Sequence, residues 1–243
     1  MLKEKVAMIT GASSGIGYAT AVALSRAGAH VAVGARRIER LKELETEMGK
    51  QLQIHELNVT DRSSCNSFVE ATVKKWGTVD ILVNNAGLMP LSFFKNNKVD
   101  EWEQMIDVNL KGVIYCTAAV IPHMLQKGSG HIVNMSSVAG RLVFAGGTVY
   151  CATKHAVTAF SEGLRIEFSS RSKIRVTCIE PGVVATELLD TITDESMSRF
   201  IETTKKMEAL QAQDIASAIL YALEAPPHVN VNEIMMRPTQ QVT

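Results

Sequence analysis

The sequence predicts an α/β protein built on a doubly wound parallel sheet of seven strands. Two observations carry that prediction. Short apolar runs of strand length alternate with helical stretches along all 243 residues, the pattern of βαβ units whose sheet is covered on both faces. No linker, low-complexity stretch or internal repeat interrupts the alternation, so residues 1–243 read as one domain.

The elements follow in order. "KVAMITGAS" is a short β run ending in glycine, and "GYATAVALSRAGA" is the helix after it. "HVAVGARR" is the second strand, followed by helical "IERLKELETEMG", which sets Leu41 and Leu44 on one face. "QLQIHELNV" alternates at period two, and Ser63 to Trp76 is helical again. "VDILVNNAG" is a buried, β-branched run, and a long helical region continues through "VIYCTAAVIPHMLQKG". "GHIVNMSS" and "KIRVTCIEPG" are buried strands with a helix between them. The chain closes on helical "AQDIASAILYALEAP" and a last strand around "VNEIMMRP". Crossovers joining parallel strands in this order are right-handed.

Composition excludes several function classes. Lys plus Arg equals Asp plus Glu at 25 each, so no basic footprint points to nucleic acid or to a membrane surface. The four cysteines (Cys65, Cys116, Cys151, Cys178) are scattered without a C-x-x-C pair, which indicates neither a zinc site nor a disulfide frame, and no other metal site. The N-terminus passes from charge into a run too short for a signal peptide. No apolar stretch reaches the roughly 18 residues that a membrane span needs. The expectation is a cytoplasmic protein.

The chemistry-bearing motifs come next. "TGASSGIG", Thr10 to Gly17, lies between the first strand and the first helix. Glycines there let the backbone turn tightly and approach a pyrophosphate, whose charge the helix N-terminus stabilises. The second strand ends Gly34-Ala35-Arg36-Arg37, without the acid that would hold a free ribose 2′-hydroxyl. Two guanidiniums suit a 2′-phosphate instead, so the cofactor expected is NADP(H). Tyr150 and Lys154 stand one helical turn apart, close enough for the ammonium to act on the phenol.

With these motifs in place, the chain resembles the short-chain dehydrogenase/reductase family over essentially its whole length. The resemblance rests on five motifs in order: the loop at 10–17, "NNAG" at 84–87, "VNLKG" with Asn109, "NMSSVAG" with Ser137 thirteen residues before Tyr150, and "EPGVVATEL". It implies that Gly11, Ser13, Ser14, Gly15, Ile16 and Gly17 hold the cofactor phosphates. It implies that Arg36 and Arg37 read the 2′-phosphate, and that Asn58 and Val59 meet the adenine. Asn58 stands where the family often has aspartate, and its carbonyl can still accept from the adenine amine. Asn84 would brace the sheet, and Asn85, Ala86 and Gly87 would leave room for the cofactor. Pro181, Gly182, Val184 and Thr186 would lie along the nicotinamide.

The activity implied is interconversion of an aldehyde or ketone and an alcohol. Tyr150 would exchange the proton at the substrate oxygen, and Ser137 would hold that oxygen. Lys154 would bind the nicotinamide ribose and, together with the positive nicotinamide of the oxidised cofactor, stabilise the Tyr150 phenolate. Asn109 would organise a water near the lysine. The resemblance also implies a homotetramer joined through the long helices around Asn109 and Tyr150 and through the last strand. The chain's ending resembles the subgroup of serine and 3-hydroxy-acid dehydrogenases, sulfoacetaldehyde reductases and clavulaldehyde reductases. An epimerase or dehydratase on the same fold would be longer. A non-catalytic NADP-sensing protein would have no use for Ser137, Tyr150 and Lys154 together.

For the substrate, Val143, Phe144, Leu188 and Leu189 suggest an apolar wall. Arg141, the one cation of the loop after Ser137, is either a site for an anionic substrate group or the partner of an acid on a neighbouring segment or subunit. His131 and His155 are expected to satisfy local hydrogen bonds. Met89, Met105, Met124 and Met135 are expected to fill the core, and Cys151 to be a packed thiol.

Overall fold

The computed structural model describes residues 2–49 and 52–242. Its strands are β1 (Val6–Thr10), β2 (His30–Ala35), β3 (Leu52–Glu56), β4 (Ile81–Asn84), β5 (Gly130–Met135), β6 (Ile174–Pro181) and β7 (Glu233–Met236). They form one parallel sheet in the order β3-β2-β1-β4-β5-β6-β7. Gln51, which opens the third expected strand, lies outside the described residues.

Period two decides which helix covers which face. Ala7 and Ile9 of β1, with Val31 and Val33 of β2, point to one side. There they meet α1 (Gly15–Arg26), α2 (Ile38–Met48) and α9 (Ala212–Glu224) through Leu24, Leu41, Leu44, Ile215 and Ile219. Met8, Ala32, Leu82 and Ile132 point to the other. On that side α3 (Arg62–Trp76), α5 (Gly112–Lys127) and α6 (Thr148–Leu164) contribute Phe68, Val69, Val120, Met124 and Leu164. Leu41 and Leu44 share the buried face of α2 as their spacing requires. Shorter helices complete the chain: α4 (Val99–Ile106), α7 (Ser170–Ser172) and α8 (Ser198–Lys205).

The expectation that no apolar stretch reaches span length needs correction. A π turn at Asp107–Lys111 joins α4 to α5, making one helix of 29 residues, Val99–Lys127, long and apolar enough to cross a membrane by length and composition. Asp107 and Lys111 interrupt the apolar run without ending the helix, because they pair with each other at 2.7 Å on its surface. In its most apolar window 44% is buried, with Cys116, Val120 and Met124 packed among side chains of α3 and the sheet.

Strand order reverses between β1 and β4, and the chain leaves their C-terminal ends in opposite directions. That topological switch point opens a crevice above the sheet, where open α/β sheets bind ligands.

Candidate active site

Two glycines show how tightly this crevice is built. Gly11, after β1, has φ +67°, and a Cβ there would stand 2.7 Å from the Ala86 Cα. A Cβ on Gly17 would stand 2.5 Å from both the Asn85 Nδ2 and the Gly11 carbonyl. The loop after β4 is therefore fastened directly to the glycine loop. Thr10 Oγ1 accepts from the Asn85 and Ala86 main-chain N–H at 3.0 Å each, and Asn85 Nδ2 donates to the Thr10 and Gly11 carbonyls, also at 3.0 Å. Ser14 caps α1 without a side-chain hydrogen bond, and the first turn of α1 carries no acid. The positive end of that helix is left facing the crevice, the arrangement that suits a phosphate.

At the outer corner, Arg37 donates to Ser13 Oγ (3.1 Å) and Ser14 Oγ (2.8 Å) and pairs with Glu187 at 2.8 Å. Its hydrogen bond holds the Glu187 carboxyl below the usual range. Arg36 is exposed, and its side chain has no partner among the described residues. Asn58 Oδ1 accepts from Thr60 N at 3.1 Å and Thr60 Oγ1 at 2.9 Å, which orders the turn after β3.

The third group lies at the inner end. Tyr150 and Lys154, in the first turns of α6, are both buried, and the Lys154 Nζ is 5.7 Å from the centre of the Tyr150 ring. Lys154 Nζ donates to the Met135 carbonyl at 2.8 Å. Ser137 Oγ donates to the Pro181 carbonyl at 3.2 Å and accepts from Ala139 N at 3.1 Å. Burial pushes the phenol up to about 12, and the neighbouring Ser137 hydroxyl pulls it part of the way back. Burial equally pushes Lys154 down to about 8. Desolvation dominates at both groups in the protein by itself. Asn109, buried in the π turn, accepts from Leu88 N and donates to the Leu88 carbonyl, both at 2.9 Å, and donates to Thr153 Oγ1 at 3.3 Å. It ties the loop after β4 to α6.

These three groups line one cleft of about 1020 Å³. That is the top of the ordinary range for ligand pockets, about 300–1,000 Å³, as an extended dinucleotide requires. Gly11, Ser13, Ser14, Gly15, Ile16, Arg36, Arg37, Asn58, Val59, Asn85, Ala86, Gly87, Ser137, Tyr150, Lys154, Pro181, Gly182, Val184, Thr186 and Leu188 all face it. Gly17 and Asn109 stand behind its wall. A family model described as short chain dehydrogenase matches residues 5–197.

The chain belongs to the short-chain dehydrogenase family.

The relatives agree. An uncharacterised oxidoreductase of Staphylococcus saprophyticus is 48% identical over 99% of this chain and 98% of its own. Among solved structures, the closed form of a serine dehydrogenase complexed with NADP+ superposes with a TM-score of 0.92 at 37% identity, covering 98% of this chain and 96% of that one. An alcohol dehydrogenase from Thermococcus sibiricus complexed with 5-hydroxy-NADP gives 0.85 at 32% identity, covering 98% of each. This short-chain dehydrogenase is an oxidoreductase with the family's seven-stranded Rossmann sheet.

Of the five substrate residues expected from the sequence, Leu188 faces the cleft, and Arg141, Val143, Phe144 and Leu189 do not. Arg141 does not face the cleft: its Nε donates to both Glu180 oxygens at 2.8 and 3.1 Å, and its Nη2 pairs with Glu233. Its charge is neutralised within the protein and is not open to a substrate anion. Val143 is 75% exposed, and Phe144 turns away to stack on Phe200 at 5.8 Å, so neither forms a cleft wall. The apolar wall comes instead from Leu88, Val108 and Met135 beside Leu188. Of the methionines expected in the core, Met135 is buried yet also faces the cleft.

The segment over the cleft was also illegible from the sequence. Thr191 Oγ1 accepts from Met89 N at 2.9 Å, and Thr193 donates to Glu101 at 2.6 Å. Asp194 accepts from Ser92 Oγ (2.5 Å) and Asn96 Nδ2 (2.7 Å). These bonds latch the stretch after Thr186 onto α4 and the loop before it. One local signal could have found the latch: Asp194 is followed two residues on by Ser196, whose N–H and hydroxyl it accepts at 2.9 and 2.7 Å, a capping turn.

Proposed function

We propose that this oxidoreductase interconverts a carbonyl compound, aldehyde or ketone, and its alcohol by hydride transfer with NADP(H), using Tyr150 as the general acid and base. The observation that carries the reading is the meeting of Ser137, Tyr150 and Lys154 at one end of a cleft whose other end holds the glycine loop and Arg36. The glycine cradle and the open end of α1 fit a dinucleotide's pyrophosphate, and Arg36, without a partner among the described residues, fits a 2′-phosphate. The serine dehydrogenase and alcohol dehydrogenase neighbours, both complexed with NADP forms, support the choice. Bound there, NADPH supplies hydride to a carbonyl carbon, and NADP+ accepts it from a carbinol carbon.

The chain's own residues manage position and proton. Ser137 Oγ and the Tyr150 hydroxyl, which face the same end of the cleft, are the two donors that a substrate oxygen meets. In reduction Tyr150 gives its proton to that oxygen, and in oxidation its phenolate takes the proton back. Lys154, charged below its pKa of about 8, stabilises the phenolate left after reduction. Leu88, Val108 and Leu188 surround the reacting end with apolar surface and exclude water.

The sign of the pH dependence follows. Reduction needs a protonated phenol and a charged Lys154. With the phenol at about 12 and the lysine at about 8, the lysine sets the limb. Carbonyl reduction is expected to hold its rate below pH 7 and to decline above pH 8, while alcohol oxidation rises with pH. Profiles of kcat in both directions check this, and a reduction rate that climbs steadily to pH 10 contradicts it. The general test is a panel of aldehydes, ketones and 3-hydroxy acids assayed with NADPH or NADP+. At least one pair turns over if the reading is right, and none does if the protein only senses cofactor.

The same reading includes a cytoplasmic homotetramer. Apolar side chains stay exposed on the elements expected to form its interfaces: Ile114 and Leu125 on α5, Ile166 just beyond α6, and Met235 on the edge strand β7. An unpaired edge and apolar helix faces are surfaces that a partner copy covers. Light scattering at micromolar concentration is expected to give four times the chain mass, and a monomer contradicts it.

A further inference from the structure

The cleft residues do not explain a carboxylate buried just behind them. Glu180, the next-to-last residue of β6, is 1% exposed and does not face the cleft. Buried carboxylates are rare unless paired and hydrogen-bonded, and this one is both. Arg141 Nε donates to its two oxygens at 2.8 and 3.1 Å, from the turn just after the helical stretch Val138–Gly140 that follows Ser137. Thr158 Oγ1, one turn beyond Lys154 on α6, donates to it at 3.3 Å. Thr158 Oγ1 also shares a 2.9 Å hydrogen bond with Ser136 Oγ, which donates to the Lys154 carbonyl at 3.0 Å.

The main chain on either side of Glu180 completes the junction. The Ile179 carbonyl accepts from Ser136 N at 2.8 Å, and the Pro181 carbonyl accepts from Ser137 Oγ at 3.2 Å. Gly140 lies flat on this junction, where a Cβ would stand 2.5 Å from Ser136 Oγ and 2.7 Å from Thr158 Oγ1. One side chain thus joins the three segments that carry Ser137, Lys154 and Pro181. Apolar packing would hold them together without fixing their register, whereas a charge-assisted, directional pair fixes both distance and angle.

We propose that Glu180 is the positioning residue of this active site, holding Ser137, the Tyr150–Lys154 helix and the Pro181 turn in register through Arg141 and Thr158. The role rests on the proposed reaction, because it acts through Ser137 and Tyr150. A misplacement of about 1 Å in such a constellation costs on the order of 100-fold in rate, so a loosened junction registers in kcat.

The test uses the full chain and whichever carbonyl of the panel is reduced fastest. In Glu180→Gln, kcat is expected to fall by about tenfold or more, while NADPH affinity by fluorescence titration stays within about twofold, since no cofactor contact is removed. Arg141→Ala is expected to match that loss, and Arg141→Lys, which keeps the charge but not the planar guanidinium's directed contacts, to recover only part of it. A merely structural role would lower the melting temperature and leave kcat per folded site unchanged. Wild-type kcat in Glu180→Gln overturns the proposal. If that variant does not fold, wild-type kcat in Arg141→Ala overturns it instead. Tyr150→Phe separates the two levels: an active Tyr150→Phe defeats the reaction itself. An inactive Tyr150→Phe beside an active Glu180→Gln defeats only the positioning role.

Discussion

Replacing Tyr150 by phenylalanine is expected to lower turnover by at least about 100-fold, the scale of losing a general acid–base group. The geometry makes this a clean deletion. The ring is buried among Leu88, Met89, Leu91 and Cys151, and phenylalanine keeps that packing. Ser137 Oγ keeps the Pro181 carbonyl as its acceptor, and Lys154 keeps the Met135 carbonyl, so no buried polar group is orphaned. What disappears is the hydroxyl that exchanges the substrate proton. NADPH affinity should change little, because Lys154 and the glycine loop are untouched. Unfolding is not expected, and matching thermal melts of variant and wild type check that. Near-normal carbonyl reduction by the variant would defeat the mechanism.

The second large effect is expected in cofactor choice. Wild type should prefer NADPH over NADH by at least about tenfold in kcat/KM. A charge-assisted hydrogen bond contributes about 1.5–3 kcal/mol, or about 10- to 100-fold in affinity. Of the two arginines after β2, Arg37 already serves Ser13, Ser14 and Glu187, whereas Arg36 has no partner among the described residues. Arg36→Ala should therefore remove much of the preference, chiefly through the KM for NADPH. Ala35→Asp should go further, because a carboxylate at the end of β2 repels a 2′-phosphate and offers a ribose hydroxyl an acceptor. Equal use of both cofactors by wild type would sink the assignment. Unchanged selectivity in Arg36→Ala would move the phosphate contact to Arg37.

What the sequence revealed and what it hid follow a physical division. The parallel sheet was legible because each element carries its own period, as Leu41 and Leu44 do on α2 and as Ala7, Met8 and Ile9 do on β1. The glycine loop and the Tyr150–Lys154 pair were legible because their chemistry sits within a few consecutive residues. Arg141 was ambiguous because its partners, Glu180 and Glu233, are distant in sequence and meet it only across β6 and β7. Val143 and Phe144 were misplaced because nothing local tells which side of a loop faces a cleft. The latch through Thr191 and Asp194 was missed because it joins short turns with no period of their own. The burial that raises Tyr150 and lowers Lys154 is not visible in the sequence, because it is a property of the assembled core.

The most direct test of the central claim is isotopic. NADPH deuterated at C4 of the nicotinamide, on the transferring face, is incubated with the fastest carbonyl of the panel, and the alcohol is analysed by mass spectrometry and NMR. The account predicts one deuterium per product at the carbinol carbon, formed at a rate that Tyr150→Phe lowers by at least about 100-fold. An alcohol without deuterium, or labelled alcohol formed equally fast by Tyr150→Phe, would contradict it.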